Sequence, residues 1–295
     1  MYGNYMRKAM EHVRWAFNFT NWHPTKAEWT FCNQCIQQEE RERIRKFYFQ
    51  KDAKAAMIGR LLIRKVVADY TDIPYNDIQL SRTEKGRPYV LNEQVQFDFN
   101  VSHQGDYAII AAEPGTVVGT DVMKLEPPRS SGVAKFFDTM SRQFSKEEWT
   151  VIKSPDTEAE QLKLFFRHWC LKESYVKALG VGIGFEISRL NFTLNSFDLQ
   201  PFNPLTSTTL KVDGQEQEDW IFEEHYLDNH CLAVAYKKSP SEIIQENLVR
   251  PAQFSILDYK TLTQGAGPLF EPEDIYWENF RNKPDNPQQL KSSNK

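Results

Sequence analysis

KDAKAAMIGRLLIRKVVADY, residues 51–70, places Ala55, Ile58, Leu61, Leu62, Lys65, Val66 and Ala68 at helical spacing. The pattern predicts one long packed helix, which Asp72-Ile73-Pro74 ends. Working outward, residues 12–19 (HVRWAFNF) alternate like a strand, residues 25–36 form a short helix, and Gln38-Glu39-Glu40 opens a basic amphipathic stretch. Downstream come Ile78–Leu80, a turn at Glu84-Lys85-Gly86 and a strand over Arg87–Leu91. The strands Phe97–Val101 and Tyr107–Ala112 follow, joined by Ser102-His103-Gln104-Gly105-Asp106. A similar order then returns: a strand at Val117–Met123, a loop at 126–132, a helix at 145–153, a long helix over Ala159–Leu179, and strands near Glu186–Leu194, Trp220–Glu223 and Cys231–Tyr236. Element order alone therefore predicts an α+β fold, a pseudo-symmetric pair of α/β halves, each a long helix on a small, mainly antiparallel sheet. The division falls near residues 113–118, giving residues 1–116, residues 117–238 and a C-terminal extension, 239–295. Its last stretch, RNKPDNPQQLKSSNK (281–295), is polar enough to predict disorder.

The chain has 295 residues, 40% hydrophobic and 13% aromatic, enough for a substantial core. A net charge of −4 supplies no global positive field for nucleic acid or an anionic membrane, so any anion site must be local. The start, MYGNYMRKAMEHVRW, lacks the apolar stretch of a signal peptide, and the expectation is a soluble cytoplasmic protein. Cys32 and Cys35 form a C-x-x-C with no second pair to complete a zinc site, so these two, with Cys170 and Cys231, are expected to be unpaired thiols.

Chemistry concentrates in Trp169-Cys170-Leu171-Lys172-Glu173-Ser174-Tyr175-Val176-Lys177. Glu173 falls in the helical arc that holds Leu162, Phe166, Trp169 and Val176. A carboxylate there is costly unless something positive meets it. Two readings stand: a structural pair with Lys177 one turn later, or a metal ligand or general base beside a cation for phosphate. Asp121 lies inside the β-branched run Val117–Met123, on one face with Gly119 and Met123; taken alone it reads as a turn-edge acid, and with Glu173 it offers two hard oxygen ligands of the kind magnesium prefers. Arg82-Thr83-Glu84-Lys85-Gly86-Arg87 is a basic turn able to meet a phosphate or simply to be solvated. His103 sits in the tip of the predicted hairpin loop, and His168 is expected on a helix surface. There is no P-loop and no nucleophile elbow, and the glycines at 180, 182 and 184 follow a helix rather than a strand.

Gly119-Thr120-Asp121, followed some fifty residues later by the W-x-x-K-E-S-x-x-K helix, resembles the surfactin-synthetase-activating type of 4′-phosphopantetheinyl transferase. Lys85-Gly86-Arg87-Pro88 and Phe99-Asn100-Val101-Ser102-His103 match that family's upstream elements in order, and over nearly the whole chain the likeness is to its animal members. The resemblance implies two α/β halves with the cofactor between them. It implies that the first half carries the coenzyme A phosphate contacts, made by Arg43, by the turn Arg82, Thr83, Glu84, Lys85, Gly86 and Arg87, and by Asn100, Val101, Ser102 and His103. In the second half Asp121 and Glu173 would hold Mg2+, Glu173 and Lys177 would be catalytic, and Glu173, Ser174, Tyr175, Val176 and Lys177 would border the cofactor. Ser174, Ser102 and the cysteines are assigned no covalent role. Met123 stands where many bacterial members carry a second acid, and a thioether suits magnesium poorly, so a water or the Gln104 amide oxygen would complete the shell. The implied acceptors are acyl carrier proteins or carrier domains, those of fatty acid synthase and of an aminoadipate-semialdehyde dehydrogenase included, and the implied state is a monomer. The rival readings are a metal-dependent hydrolase of coenzyme A and a non-catalytic coenzyme-A-binding or carrier-docking module.

Overall fold

A computed structural model describes residues 12–93, 95–128, 132–238 and 251–285. The first half comprises β1 (Val13–Asn18), α1 (Lys26–Gln34), α2 (Gln38–Arg45), α3 (Gln50–Tyr70), β2 (Leu80–Arg82), β3 (Pro88–Val90), β4 (Phe97–Gln104) and β5 (Tyr107–Pro114). The second comprises β6 (Val118–Lys124), α4 (Val133–Thr139), α5 (Lys146–Ile152), α6 (Glu158–Leu179), β7 (Leu190–Thr193), β8 (Thr209–Val212), β9 (Gln215–Glu216), β10 (Trp220–Leu227) and β11 (His230–Lys237). β12 (Ser255–Ile256), α7 (Tyr259–Thr263) and α8 (Asp274–Arg281) follow. The fold is α+β with mostly antiparallel sheets, in the orders β12-β1-β5-β4 and β10-β11-β6, plus a β2-β3 hairpin and a small β7-β8-β9 sheet. Connectivity recurs. In each half the first strand pairs with the second strand of the hairpin that follows the long helix.

The long helices form where periodicity places them, and each covers a sheet. α3 buries Ile58, Leu61, Leu62 and Val66 in one core, while α6 buries Leu162, Phe166, Leu171 and Val176 in another. Gly180, at φ +66, ends α6 in the left-handed conformation that glycine adopts without a Cβ penalty. The C-terminal segment closes over the first half, with Leu262 and Phe280 in its core and the rings of Trp29 and Phe280 stacked at 3.7 Å. That packing corrects the predicted tail. Lys283 Nζ donates to Arg45 O at 2.8 Å and Gln50 N donates to Pro284 O at 2.9 Å, so residues 281–285 are held by tertiary contacts that local polarity does not announce. The rest of the predicted tail, 286–295, lies outside the described residues.

Side chains knit the two sheets together where a backbone ladder would otherwise stand. On β4, Asp98, Asn100 and Gln104 accept the N–H groups of Val118, Thr120 and Lys124 on β6 at 2.9, 3.0 and 2.7 Å, with a constant offset of 20 residues. The strands therefore run side by side in the same direction. They stand farther apart than the ~4.8 Å of a laddered pair, because a side chain fills the interval. Arg87 closes this seam, donating to Asp98 Oδ2, Phe99 O, Val118 O and the Lys177 carbonyl. Elsewhere between the halves, buried Arg14 on β1 donates to Glu113 on β5 and to Glu223 on β10. Glu223, despite burial, is held down to about 2 by Arg14 and His225.

The β4–β5 hairpin is tighter than its sequence predicts. Pairing runs to Gln104 and Tyr107, so the turn is only Gly105-Asp106, with Gly105 at φ +64, and His103 belongs to a strand rather than a loop tip. Gly119 has a different role. A Cβ there would overlap the Ser174 carbonyl oxygen and the Ala178 nitrogen of α6, so the helix lies on β6 only because residue 119 has no side chain. Gly119→Ala should lower stability by about 1–3 kcal/mol in urea unfolding. Gly184→Ala, whose Cβ would meet nothing within 4 Å, should stay within ~0.5 kcal/mol of wild type. Equal midpoints for the two variants would refute the close approach.

Candidate active site

In the gap between β4 and β6 the Asp121 carboxylate meets two donors. Its Oδ1 accepts from Lys177 Nζ at 2.6 Å and from Ser102 Oγ at 2.9 Å. Lys177 Nζ also reaches Ser102 Oγ at 3.0 Å and Thr120 O at 3.2 Å. Asp121 is 6% exposed, and its second oxygen, Oδ2, is buried with no hydrogen-bond partner. Lys177 therefore pairs with Asp121 across the seam, in place of the intrahelical pair with Glu173 that spacing alone allows. Glu173, one turn earlier on α6, is half-buried, and among the described residues no ion pair or hydrogen bond engages its carboxylate. Burial, and after it the charge of Asp121, raise its pKa against the pull of Lys177.

Glu173 and Lys177 line a cavity of about 520 Å³ together with Lys85, Gly86, Arg87, Asn100, Val101 and Val176. Many of the residues expected at a site thus share one wall system, but their jobs differ. Thr83 Oγ1 accepts from Arg87 N and closes the basic turn, Lys85 Nζ donates to Val181 O at 2.6 Å, and Glu84 is exposed. The Arg87 guanidinium is committed to the seam. Arg82 donates to Glu40 Oε1 at 2.5 Å, and Arg43 stands 3.6 Å from Glu40 Oε2 with its side chain half exposed. His103, near the end of β4, does not line the cavity. The surrounding protein, then the positive charges of Lys177 and Arg60, lower its pKa although its outer edge is exposed. Ser174 and Tyr175 turn away from the cavity: Ser174 is buried and donates to Leu171 O, and the Tyr175 ring packs on Trp220 and Phe222.

Other expectations shift. His168 is fully buried rather than on a helix surface, because α6 is covered on most sides; desolvation lowers its pKa to about 4, and Nδ1 lies 2.8 Å from Leu164 O. Met123 packs against the second core. Gln104 Oε1 already accepts from Lys124 N, which leaves one lone pair to offer. The cysteines are free and buried, as expected.

Sequence reading passed over several residues that shape the site. Lys172 is buried and ion-paired with Glu148 at 2.7 Å, and it donates to the carbonyls of Gln143, Ile187 and Leu190, clamping two cavity-lining segments to α6. Its place inside the quoted motif was the available signal. Arg60 and Glu40 carried none, since an arginine in a helix and an acid in a first turn are ordinary.

No group of three or more His, Cys, Asp and Glu side chains among the described residues stands ready to hold a metal. What exists is a pair of carboxylates, one with an unpartnered buried oxygen and one with a raised pKa. Hard oxygens of this kind fit a divalent cation that takes its remaining ligands from water and phosphate. Glu173, Lys177 and the turn residues Lys85, Gly86 and Arg87 thus border one cavity, with the Asp121 carboxylate joined to it through Lys177.

Comparison with known proteins specifies the class. Residues 20–115 match the family model described as 4′-phosphopantetheinyl transferase, N-terminal, and residues 117–235 match the 4′-phosphopantetheinyl transferase superfamily. The chain belongs to that superfamily and is a transferase of its class. Among its relatives are the L-aminoadipate-semialdehyde dehydrogenase-phosphopantetheinyl transferases of Homo sapiens, 44% identical over 92% of each chain, and of Xenopus laevis, 43% identical over 95% of each. A phosphopantetheinyl transferase of Thraustochytrium is 38% identical over 75% of this chain and 77% of its own.

The raised pKa of Glu173 has a measurable sign. Stability held by its protonated form is present below the usual carboxylate pKa and lost as pH rises through the raised one. Without metal, Glu173→Gln should therefore raise Tm at pH 7 in EDTA, and the gain should shrink toward pH 4. A gain of equal size at both values would show that charge is not its cause.

Proposed function

We propose that the protein transfers 4′-phosphopantetheine from coenzyme A to a serine of an acyl or peptidyl carrier domain, releasing adenosine 3′,5′-bisphosphate. The observation that carries this reading is the Asp121–Lys177–Ser102 cluster beside unpaired Glu173, where Glu173 and Lys177 line a cavity together with Lys85, Gly86 and Arg87. In the reaction the serine oxygen bonds to the β-phosphorus of coenzyme A while the bond from that phosphorus to the bridging oxygen breaks. The electron pair leaves with the bisphosphate. Glu173 takes the serine proton, directly or through a water, and its raised pKa suits it to do so. Lys177, fixed by Asp121, offsets charge as it shifts to the leaving group.

Asp121 and Glu173 would hold magnesium, which when bound supplies charge neutralisation to the pyrophosphate. Arg43 and the turn at 82–87 receive the adenosine phosphates, and Asn100–His103 lines the same cleft. Residues 1–116 then serve coenzyme A, residues 117–238 carry the metal and catalytic groups, and 239–295 form an extension. The names of the animal relatives support an aminoadipate-semialdehyde dehydrogenase carrier domain as an acceptor. Fatty acid synthase carriers are further acceptors on this reading, and the protein works as a cytoplasmic monomer without nucleic acid or membrane. Among the described residues no helix is long and apolar enough to cross a membrane.

Mass spectrometry of apo-carrier protein incubated with this protein, coenzyme A and magnesium should show the mass gain of one phosphopantetheine. Asp121→Ala and Glu173→Ala should each lower kcat by about 10²-fold or more while the protein stays folded. Release of adenosine bisphosphate with no gain on the carrier would identify a hydrolase. Binding of coenzyme A without either product would identify a non-catalytic module.

A further inference from the structure

Past the Gln104 rung the seam between β4 and β6 continues with a contact that runs in the opposite sense. Asp106 N, in the β4–β5 turn, donates to the imidazole Nε2 of His230 at 3.1 Å. His230 opens β11 opposite Lys124 of β6 and is fully buried. Its other nitrogen, Nδ1, lies 2.7 Å from the Asp228 carbonyl oxygen, which can only accept. The two contacts together require a neutral ring protonated at Nδ1 alone, since a proton on Nε2 would face the Asp106 N–H.

The surroundings keep the ring in that form. Burial lowers its pKa against the pull of the Asp228 carbonyl and the Asp106 carboxylate, and the charge of Lys124 adds to the fall. The Tyr107 ring meets the imidazole edge-on with centroids 5.1 Å apart, and the Tyr107 hydroxyl donates to the Asp228 carboxylate. Asp228 and Asn229, at φ +40 and +61, make the tight turn of the β10–β11 hairpin that leads into His230. On the facing side, a Cβ at Gly105 would stand 2.3 Å from His230 Nε2, so the β4–β5 turn reaches the ring only with glycine there. Lys124 Nζ pairs with Asp106 Oδ2 at 2.9 Å beside it. The turn of one half is thus seated on the turn of the other.

We propose that His230 is a positioning residue for the transfer reaction: as a hydrogen-bond acceptor at Nε2 it fixes the turn end of the gap between β4 and β6, and with it the alignment of Ser102, Asp121 and Lys177. The inference rests on the transfer reading. Ser102 precedes the latched turn on β4, and Asp121 precedes Lys124 on β6, so a turn free to shift changes where the two side chains meet. The other end of the seam is closed independently, by Arg87 and Asp98. Lys85, Gly86 and Arg87, the turn residues that line the cavity, belong to that other end. Release of the His230 latch therefore disturbs the reacting cluster and leaves donor binding in place.

The test separates kcat from KM in steady-state transfer to one carrier protein by the full chain. His230→Phe keeps a ring against Tyr107 but offers Asp106 no acceptor. It should lower kcat about tenfold or more, with KM for coenzyme A within about twofold of wild type. His230→Gln carries an amide oxygen out to the Nε2 position and should recover most of the lost kcat. If His230→Phe does not fold, His230→Asn takes its place with the same expected loss, because its shorter amide stops at the Nδ1 position. A folded Phe or Asn variant with wild-type kcat, a change confined to KM, or no recovery in His230→Gln would overturn the positioning role and leave the transfer reaction standing. A second readout does not depend on the reaction: imidazole 15N spectra of wild type at pH 7 should show Nδ1 protonated and Nε2 bare. A protonated Nε2 would overturn the latch itself. A bare Nε2 in a wild type that modifies no carrier would instead overturn the transfer reading, and the positioning role with it.

Discussion

Three side chains of β4, Asp98, Asn100 and Gln104, hold the N–H groups of β6, and the rest of the site depends on the gap they maintain. A direct ladder would bring the strands too close for anything to enter between them. At Ser102, where the alternation would place another rung, the hydroxyl goes to Asp121 instead, and Lys177 enters from α6 to meet both. The reactive cluster thus occupies the break in a structural series. Gly119 belongs to the same arrangement, since only a bare backbone lets α6 lie near enough for Lys177 to reach across.

Periodicity reveals α3 and α6 because each segment declares an apolar stripe through its own residues, and Asp121 is conspicuous because an acid sits in a β-branched run. Partner choice is another matter. Helical spacing offers Lys177 to Glu173, whereas β6 supplies Asp121, a pairing set by the distance between two strands that no local pattern encodes. His103 was misplaced for a related reason: Ser102-His103-Gln104 looks like polar loop, yet the ladder with β5 continues through it. His168 and residues 281–285 fail as polarity arguments, because tertiary cover buries the first and anchors the second.

Buried charge separates scaffold from site. Where Arg14, Arg167 and Lys172 are taken out of water, carboxylates and carbonyls meet them, as burial of an ion requires. Around Asp121 and around Glu40 the balance of charge is uneven, in opposite directions. Around Asp121 the acids outnumber the single lysine, and a carboxylate oxygen is left without a donor. Around Glu40 the guanidinium groups outnumber the acid, and N–H groups are left without an acceptor.

A buried charge without a full set of partners is costly to a fold of marginal stability, so each such place is where a bound group could contribute. On the proposed reading the acidic end takes a cation and the basic end a phosphate of the donor. A donor that carries a pyrophosphate and a separate phosphomonoester satisfies both demands with one molecule and its metal.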